Sequence, residues 1–192
     1  YKTAAMLYDL EYVLGDSLFK YAMQHYFKQW CFAHPYFEDF RNSIIQYTNV
    51  DLNWFFDQWL ETTKAIDYSI CGIKRISGQD SFAIKFKRNG QMEMPVDFTV
   101  TAKDGSKHNF YIPNNWYEKD TRATTLPKWY GWSKLHKTYT AHVQIPSGIR
   151  KVQLDTSYRL ADRDWRDNYK TRGLPIRAQG VKIRPDYGVA AQ

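Results

Sequence analysis

Histidine is the residue type in this sequence best suited to metal chemistry, so its spacing comes first. His25 and His34 are the only histidines before residue 100. Zinc-binding pairs on a helix are three or four residues apart, so we interpret both as boundary or surface residues. His108, His136 and His142 follow much later. His136 and His142 would share one face of a strand but lie roughly 20 Å apart along a straight one. We therefore expect no metal site in this chain.

The other reactive side chains form no recognisable catalytic pattern. Cys31 and Cys71 allow at most one disulfide, and whether they pair is open. Asp9 and Glu11 are close in sequence, but positions i and i+2 point away from each other on a helix, so they are not a general acid/base pair. The sequence contains neither a nucleophile elbow nor a phosphate-binding glycine loop. We expect neither catalytic nor cofactor-binding residues here.

Tryptophan offers the one candidate for ligand binding. Trp116, Trp129 and Trp132 fall in residues 113–134, where no regular pattern of apolar residues is present. One interpretation is a surface on which sugars or peptides stack, because indole faces suit both. The other is that the rings pack against the end of the strand region or its junction with the helices. We favour packing, because so long a loop needs internal contacts to stay ordered.

Helices are predicted up to about residue 63. Gly15 and the His34-Pro35 pair mark helix ends, and Asp16 and Asp51 are predicted N-caps. The apolar stripes are Met6, Leu7, Leu10, Val13 and Leu14; Phe19, Ala22, Met23, Tyr26, Phe27 and Trp30; Phe37, Phe40, Ile44 and Tyr47; and Leu52, Phe55, Phe56, Trp59 and Leu60. Four short helices with brief connections predict a small bundle, with the last stripe as its packing hub.

Strands are predicted from Ile66 onward, where the apolar spacing changes to alternation. The turns are predicted at 77–80, Asn89-Gly90, 103–106 and 146–148, and Asn-Gly is the strongest hairpin signal among them. The alternating sets are Ile66, Tyr68 and Ile70; Phe82, Ile84 and Phe86; Met92, Met94, Val96, Phe98 and Val100; His108, Phe110 and Ile112; Tyr139, Ala141, Val143 and Ile145; and Val152 and Leu154. This pattern predicts an antiparallel, Ig-like β-sandwich.

The predicted fold class is therefore α+β, with a helical subdomain at 1–63, a β-sandwich at 66–157 and an extended, charged tail at 158–192. The hydrophobic share of 43% excludes disorder over most of the chain. A net charge of +7 permits an anionic partner. The aromatic residues follow core spacing instead of alternating with Lys and Arg, so we expect no nucleic-acid partner. No apolar stretch reaches the roughly 18 residues of a membrane span.

Three short motifs in the helical region resemble the M1 (gluzincin) family of zinc aminopeptidases. The family has a Tyr-x-Lys-Gly-Ala motif, then Leu-Gly-x-x-x-Phe, then Phe-Phe-x-x-Trp. In this sequence the corresponding stretches are Lys2-Thr3-Ala4-Ala5, Leu14-Gly15-Asp16-Ser17-Leu18-Phe19 and Phe55-Phe56-Asp57-Gln58-Trp59. The resemblance covers residues 1–63, with Thr3 in place of the family glycine. The β region agrees with the family only in outline.

The resemblance implies that this chain is a carboxy-terminal piece of such an enzyme. The helices would end a thermolysin-like catalytic domain and form the wall of its cleft, with the sandwich as a platform. The His-Glu-x-x-His zinc motif lies upstream in the family, so zinc is expected in the parent protein and none in this chain. The family's transition-state tyrosine would fall immediately before Tyr1, so Tyr1 receives no catalytic role. Peptides would be substrates of the parent, and the chain would pack against the upstream region.

A rival hypothesis is a stand-alone β-sandwich module for adhesion or carbohydrate binding, with the tryptophan-containing loop as its site. The chain also starts inside a helical pattern without a cap, which favours a piece of a longer protein. The sandwich-bearing layout favours an extracytoplasmic bacterial location, but the location, the oligomeric state and the parent's substrate preference are all open from sequence.

Overall fold

The computed structural model describes residues 1–76, 80–130 and 136–172. Helices come first and strands follow, so the predicted α+β class is confirmed. The described residues contain four α-helices, α1 (Lys2–Leu14), α2 (Asp16–Trp30), α3 (Phe37–Thr48) and α4 (Asn53–Leu60). The strands are β1 (Tyr68–Arg75), β2 (Ser81–Arg88), β3 (Val96–Ala102), β4 (Lys107–Ile112), β5 (Thr124–Thr125), β6 (Thr138–Gln144), β7 (Ile149–Leu154) and β8 (Tyr169–Thr171).

The described strands form two sheets. The first sheet has the order β1-β2-β6, and the second has the order β5-β4-β3-β7-β8. All described pairings between these strands are antiparallel except the short parallel one between β4 and β5. Phe86 of the first sheet and Phe98 of the second lie with ring centroids 4.9 Å apart. One continuous set of buried apolar side chains runs from the helices through both sheets.

Helix α4 is the packing hub that its stripe predicts. Phe55, Phe56 and Trp59 are buried, and the rings of Phe55 and Phe56 meet edge to face at 5.4 Å. Phe40 of α3 meets Phe56 in the same way at 6.0 Å. Leu60, predicted on the same face, is instead 41% exposed because it ends the helix. The hub therefore rests on three aromatic rings.

Both predicted acidic N-caps differ in the structure. Asp16 lies inside α2, the N-cap is Gly15 with φ of 82°, and the Asp16 carboxylate accepts a hydrogen bond from Arg159. Asp51 stands one residue before Leu52, the N-cap of α4, and accepts from Asn53 N at 3.0 Å. Asp16 is the first residue inside α2, and its carboxylate pairs with Arg159 of the later segment.

The stripe on α2 is only partly covered. Ala22 is the one fully buried residue of this helix, and Phe27 is 69% exposed. Helices α1 and α3 are the described elements that pack against α2. The predicted apolar stripe therefore lies on a helix, but its outer part is exposed among the described residues.

Asn89-Gly90 does not form the predicted hairpin. Strand β2 pairs with β1 and β6, whereas β3 belongs to the other sheet. The amides of Asn89 and Gly90 both donate to Asp67 O, at 2.8 and 3.0 Å. Their segment therefore crosses between the sheets against the chain that enters β1. The alternating run that was predicted as one strand from Met92 to Val100 is a strand only from Val96.

The other predicted turns have different outcomes. Residues 103–106 connect β3 to β4 as a hairpin, with Gly105 at φ of 90°, as predicted. Residues 146–148 connect β6 to β7, which lie in different sheets. Ser77, Gly78 and Gln79 of the first predicted turn lie outside the described residues.

The predicted tail begins as part of the fold. Leu160 and Asp162 are buried, a 3-10 helix spans Trp165–Asp167, and β8 pairs with β7. The boundary placed at residue 157 is therefore too early for the described residues up to 172. This segment has no apolar period because its contacts are made largely by carboxylates and backbone amides.

Candidate functional site

A cleft of about 640 Å³ opens where the corner between α1 and α2 meets the second sheet. Gly15 and Asp16 line it from the corner, and Thr99 of β3 lines its floor. Lys119 and Arg122, from the connection between β4 and β5, form the opposite wall. The positive φ of Gly15 turns the chain sharply there, and a Cβ added at this position would lie 3.6 Å from Asp120 O, in ordinary van der Waals contact. The cleft therefore joins helices, sheet and connecting loop.

A partly buried ion pair lies at the base of this cleft. Lys119 Nζ is 2.5 Å from Asp97 Oδ2 and donates to Tyr12 O at 2.8 Å. The same ammonium lies 4.2 Å from the centroid of the Tyr12 ring. The Tyr12 hydroxyl accepts from Asp97 N at 2.6 Å. One lysine, one aspartate and one tyrosine thus connect α1 to β3.

Burial changes the acidity of these groups. It raises the pKa of the Asp97 carboxyl, against the opposing charge of Lys119. It also raises the pKa of the Tyr12 hydroxyl far above its ordinary value. Lys119 pairs with Asp97 and also donates to Tyr12 O, and the Tyr12 hydroxyl accepts from Asp97 N. These contacts attach α1 to β3.

A second set of buried carboxylates holds residues 155–168, which we call the strap. Asp155 Oδ2 accepts from Leu160 N at 2.8 Å. Asp162 Oδ2 accepts from Tyr68 N at 3.0 Å. Asp9, on α1, accepts from Ala161 N at 3.0 Å through Oδ1, and its Oδ2 has no hydrogen-bond partner among the described residues. The strap therefore connects α1 to the start of β1.

The pKa values in the strap region are raised by burial. The pKa of Asp9 rises to about 8, with Asp155 and Asp162 adding repulsion. The pKa of Asp162 rises to about 6 and that of Asp167 to about 7, in both cases mainly through burial. Burial therefore favours the neutral, protonated form of Asp9 in the folded protein.

The tryptophans predicted as a possible stacking surface do not share one environment: Trp129 is buried and Trp116 is exposed. Trp129 is buried, packs edge to face on Tyr68 at 5.6 Å, and donates from Nε1 to His136 O at 2.9 Å. Trp116 is 77% exposed, with the Tyr130 ring 6.0 Å away at an angle of 59°. Trp132 lies outside the described residues. The structure brings together Trp116 and Tyr130, which the sequence pattern did not single out as a pair.

The histidines are dispersed over the fold. His25 stacks on Tyr47 at 4.8 Å, and His108 Nε2 lies 3.2 Å from Ser106 Oγ. His34 and His142 are exposed. Within the described ranges no group of three His, Cys, Asp or Glu side chains is arranged to hold a metal ion. Cys31 and Cys71 are both free and exposed.

Sequence reasoning missed the ion pair and the strap. Asp9 carried a signal, because it lies between Met6 and Val13 on the apolar face of α1, where a carboxylate needs a partner. Lys119 carried none, because it stands in a loop and meets Asp97 only in the folded chain. Among the described residues no helix is both long and apolar enough to cross a membrane.

The arrangement couples helices to sheets and presents partly uncovered aromatic surfaces. Most of its buried carboxylates accept hydrogen bonds from backbone amides, with Asp9 Oδ2 as an unpaired oxygen among the described residues. The sequence matches no protein-family model and no curated protein.

Proposed function

We propose that this chain is the carboxy-terminal part of a zinc-dependent peptidase of the M1 type. It would supply the wall of the catalytic cleft and a platform beneath it, and it would not be catalytic by itself. In this proposal residues 1–63 end a thermolysin-like catalytic domain, and the two sheets form the Ig-like sandwich that follows.

The placement of the three motifs is consistent with this proposal. Lys2-Thr3-Ala4-Ala5 begins α1, and Leu14–Phe19 spans the corner between α1 and α2. The glycine of the second motif adopts the positive φ that only glycine accommodates readily. Phe55, Phe56 and Trp59, the aromatic residues of the third, are the buried rings of α4. Each motif thus has a structural task in the described fold.

The observation that carries the proposal is the uncovered face of α2. Phe19, Met23 and Phe27 follow one another at i, i+4 and i+8 and line a shallow groove beside Glu11 and Lys28. An exposed apolar surface of this kind marks a contact with another surface. From the resemblance of the motifs to the M1 family, we infer that an upstream catalytic region contacts this face of α2.

Among the described residues, no set of side chains is arranged to hold a catalytic zinc ion. Such a site needs three protein ligands that converge on the metal, and the histidines lie in separate elements. The carboxylates of the strap already accept hydrogen bonds from backbone amides. We therefore assign no catalytic step to this chain.

The test compares this chain with one extended upstream in its parent. We expect no stoichiometric zinc and no hydrolysis of an aminoacyl-nitroanilide from the short chain, and both from the extended one. Zinc bound by the short chain at one equivalent, or equal rates from the two, would contradict the proposal.

A pair of substitutions tests the groove itself. Phe27→Lys should lower the stability and activity of the extended protein, because it places a charge in the proposed contact. Phe32→Lys is the matched control, because Phe32 is fully exposed and does not line the groove. Equal effects of the two substitutions would remove the groove as the contact surface.

A second candidate function is a sandwich module that binds carbohydrate, and the exposure of Trp116 favours it. The Lys128 ammonium lies 5.6 Å from the Trp116 ring centroid and pairs with Glu118 at 2.6 Å, so charged groups border the ring. Calorimetry with soluble oligosaccharides tests this function directly. Binding that is lost in Trp116→Ala and kept in Phe32→Lys would support it, and absence of any binding would leave the peptidase proposal alone.

A further inference from the structure

Among the described strands, β6 is an uncharged edge strand that is paired on one side only. It runs over Thr138–Gln144 and pairs with β2, and no other described strand pairs with it. Its seven residues include no Lys, Arg, Asp, Glu or Pro. Its register with β2 is continuous from Thr138 to Gln144, without a bulge. Natural edge strands are commonly protected by charge, proline or a bulge, and β6 has none of the three.

The hydrogen bonds at the two ends of β6 show which backbone groups face the open side. Arg88 N donates to Lys137 O, and Ile145 N donates to Asp80 O. In an antiparallel pair, alternate residues direct their amide and carbonyl groups towards the partner. Residues 139, 141 and 143 therefore face β2. The outward-facing residues are Thr138, Thr140, His142 and Gln144, and their backbone groups meet no described hydrogen-bond partner.

We propose that β6 pairs with β6 of a second copy of this chain, antiparallel and centred on Ala141. In this register the two Ala141 residues lie opposite each other. Thr138 of one strand then lies opposite Gln144 of the other, and Thr140 lies opposite His142. All four outward-facing residues of each strand then form hydrogen-bonded pairs. The two first sheets become one six-stranded antiparallel sheet.

The side chains of β6 favour this occupant. Pairing about Ala141 keeps the faces matched, because the exposed side chains at 138, 140, 142 and 144 meet one another. On the other face Tyr139 lies opposite Val143, an aromatic and β-branched pair of the kind that stabilises sheets. No charged residue of β6 meets a like charge in its copy. This inference does not depend on the proposed peptidase function.

Proline substitution separates pairing from folding. Thr140→Pro removes an outward amide and leaves every bond to β2 in place, and proline is tolerated on edge strands in this orientation. Ala141→Pro removes an inward amide and should reduce the stability of the fold itself. We expect the native chain to show concentration-dependent dimers in analytical ultracentrifugation. Thr140→Pro should weaken dimerisation about tenfold or more while its thermal unfolding stays near native.

Thr140→Lys should also weaken dimerisation, because it places a lysine from each copy in the strand pair. Thr124→Lys, on the short edge strand β5, is the matched control and should dimerise normally.

Amide hydrogen exchange provides a direct readout of the strand pairing. The amides of residues 138, 140, 142 and 144 should gain protection as concentration rises, while those of 139, 141 and 143 are protected throughout. A chain that stays monomeric, or a dimer that persists in both Thr140 variants, would overturn the proposal.

Discussion

Gly90 shows how one residue can carry a strong local signal and serve another purpose. Asn-Gly favours a hairpin because both residues tolerate positive φ, yet Gly90 is not among the described residues with positive φ. A Cβ at this position would lie 2.3 Å from Ala65 O and 2.7 Å from Asp67 N. The glycine is needed because two backbone segments approach each other closely.

The first prediction follows from this approach. Gly90→Ala should lower the free energy of unfolding by about 2–4 kcal/mol, because the clash is with backbone that cannot move aside. Gly72→Ala is the matched control, because nothing lies within 4 Å of its added Cβ. Chemical denaturation of both variants measures the difference. Equal stabilities would contradict the close approach.

The second prediction concerns Asp9 and pH. Its pKa is about 8 in the folded protein and near the ordinary 3.8 when unfolded, so folding takes up a proton between these values. The stability that Asp9 contributes is complete below about pH 4 and is lost as pH rises towards 8. Asp162 and Asp167 act in the same direction up to about pH 6 and 7. The free energy of unfolding should therefore fall between pH 5 and pH 8.

Asp9→Asn isolates the contribution of this residue. Asparagine can still accept from Ala161 N but cannot ionise, so the variant should lose less stability than the native chain as pH rises. Each unit of pKa difference corresponds to about 1.4 kcal/mol. Thermal denaturation at several pH values measures both curves. Parallel curves for the two proteins would show that Asp9 does not ionise within this range.

At the scale of elements, α4 links the helices to the strands. Phe56 contacts the rings of Phe37, Phe40 and Phe55 edge to face, the arrangement that aromatic pairs prefer. The side-chain amide of Gln58 donates to Glu93 O at 3.4 Å, and its oxygen accepts from Glu93 N at 2.8 Å. The helix thus binds the chain just before β3 as well as packing on α3.

The third prediction tests the hub. Phe56→Ala should destabilise the protein by about 3–5 kcal/mol, because it leaves a cavity among rings that cannot collapse into it. Leu60→Ala should cost less than about 1 kcal/mol, because Leu60 is partly exposed at the helix end. Urea denaturation of the two variants provides the comparison. A small effect at Phe56 would mean that α4 is not the hub.

At the scale of the whole molecule, the helices and sheets share one core. Tyr12 and Lys119 connect α1 to β3, and Asp9 connects α1 to the strap. The buried apolar set is continuous across these connections. The described chain therefore offers no weak boundary at which the helical region can open alone.

The fourth prediction is that helices and sheets unfold together. Native-state hydrogen exchange should give similar opening free energies for amides in the middle of α4 and of β3, because separate units would differ. Circular dichroism of the helices and tyrosine absorbance should report coincident transitions in urea. Two separated transitions would contradict the shared core.

Local pattern was enough to determine part of this structure. The helical stripes and alternating runs predicted helices followed by strands. Each element buries one face, so its apolar residues recur about every 3.6 positions in a helix and every second position in a strand. The hub rings of α4 and the hairpin at Gly105 followed for the same reason. These features depend on residues within a few positions of one another.

Only the tertiary structure decided the rest. The assignment of β2 and β3 to different sheets depends on backbone bonds between Asp67 and Gly90, far apart in sequence. The pairing of Lys119 with Asp97, the raised pKa of Asp9 and the position of β6 at the edge of the described sheet likewise depend on which segments become neighbours. The charge of a carboxyl group depends on its burial and its partners, and the exposure of a strand edge depends on which segments lie beside it. A single sequence does not give the distances between segments that meet only on folding.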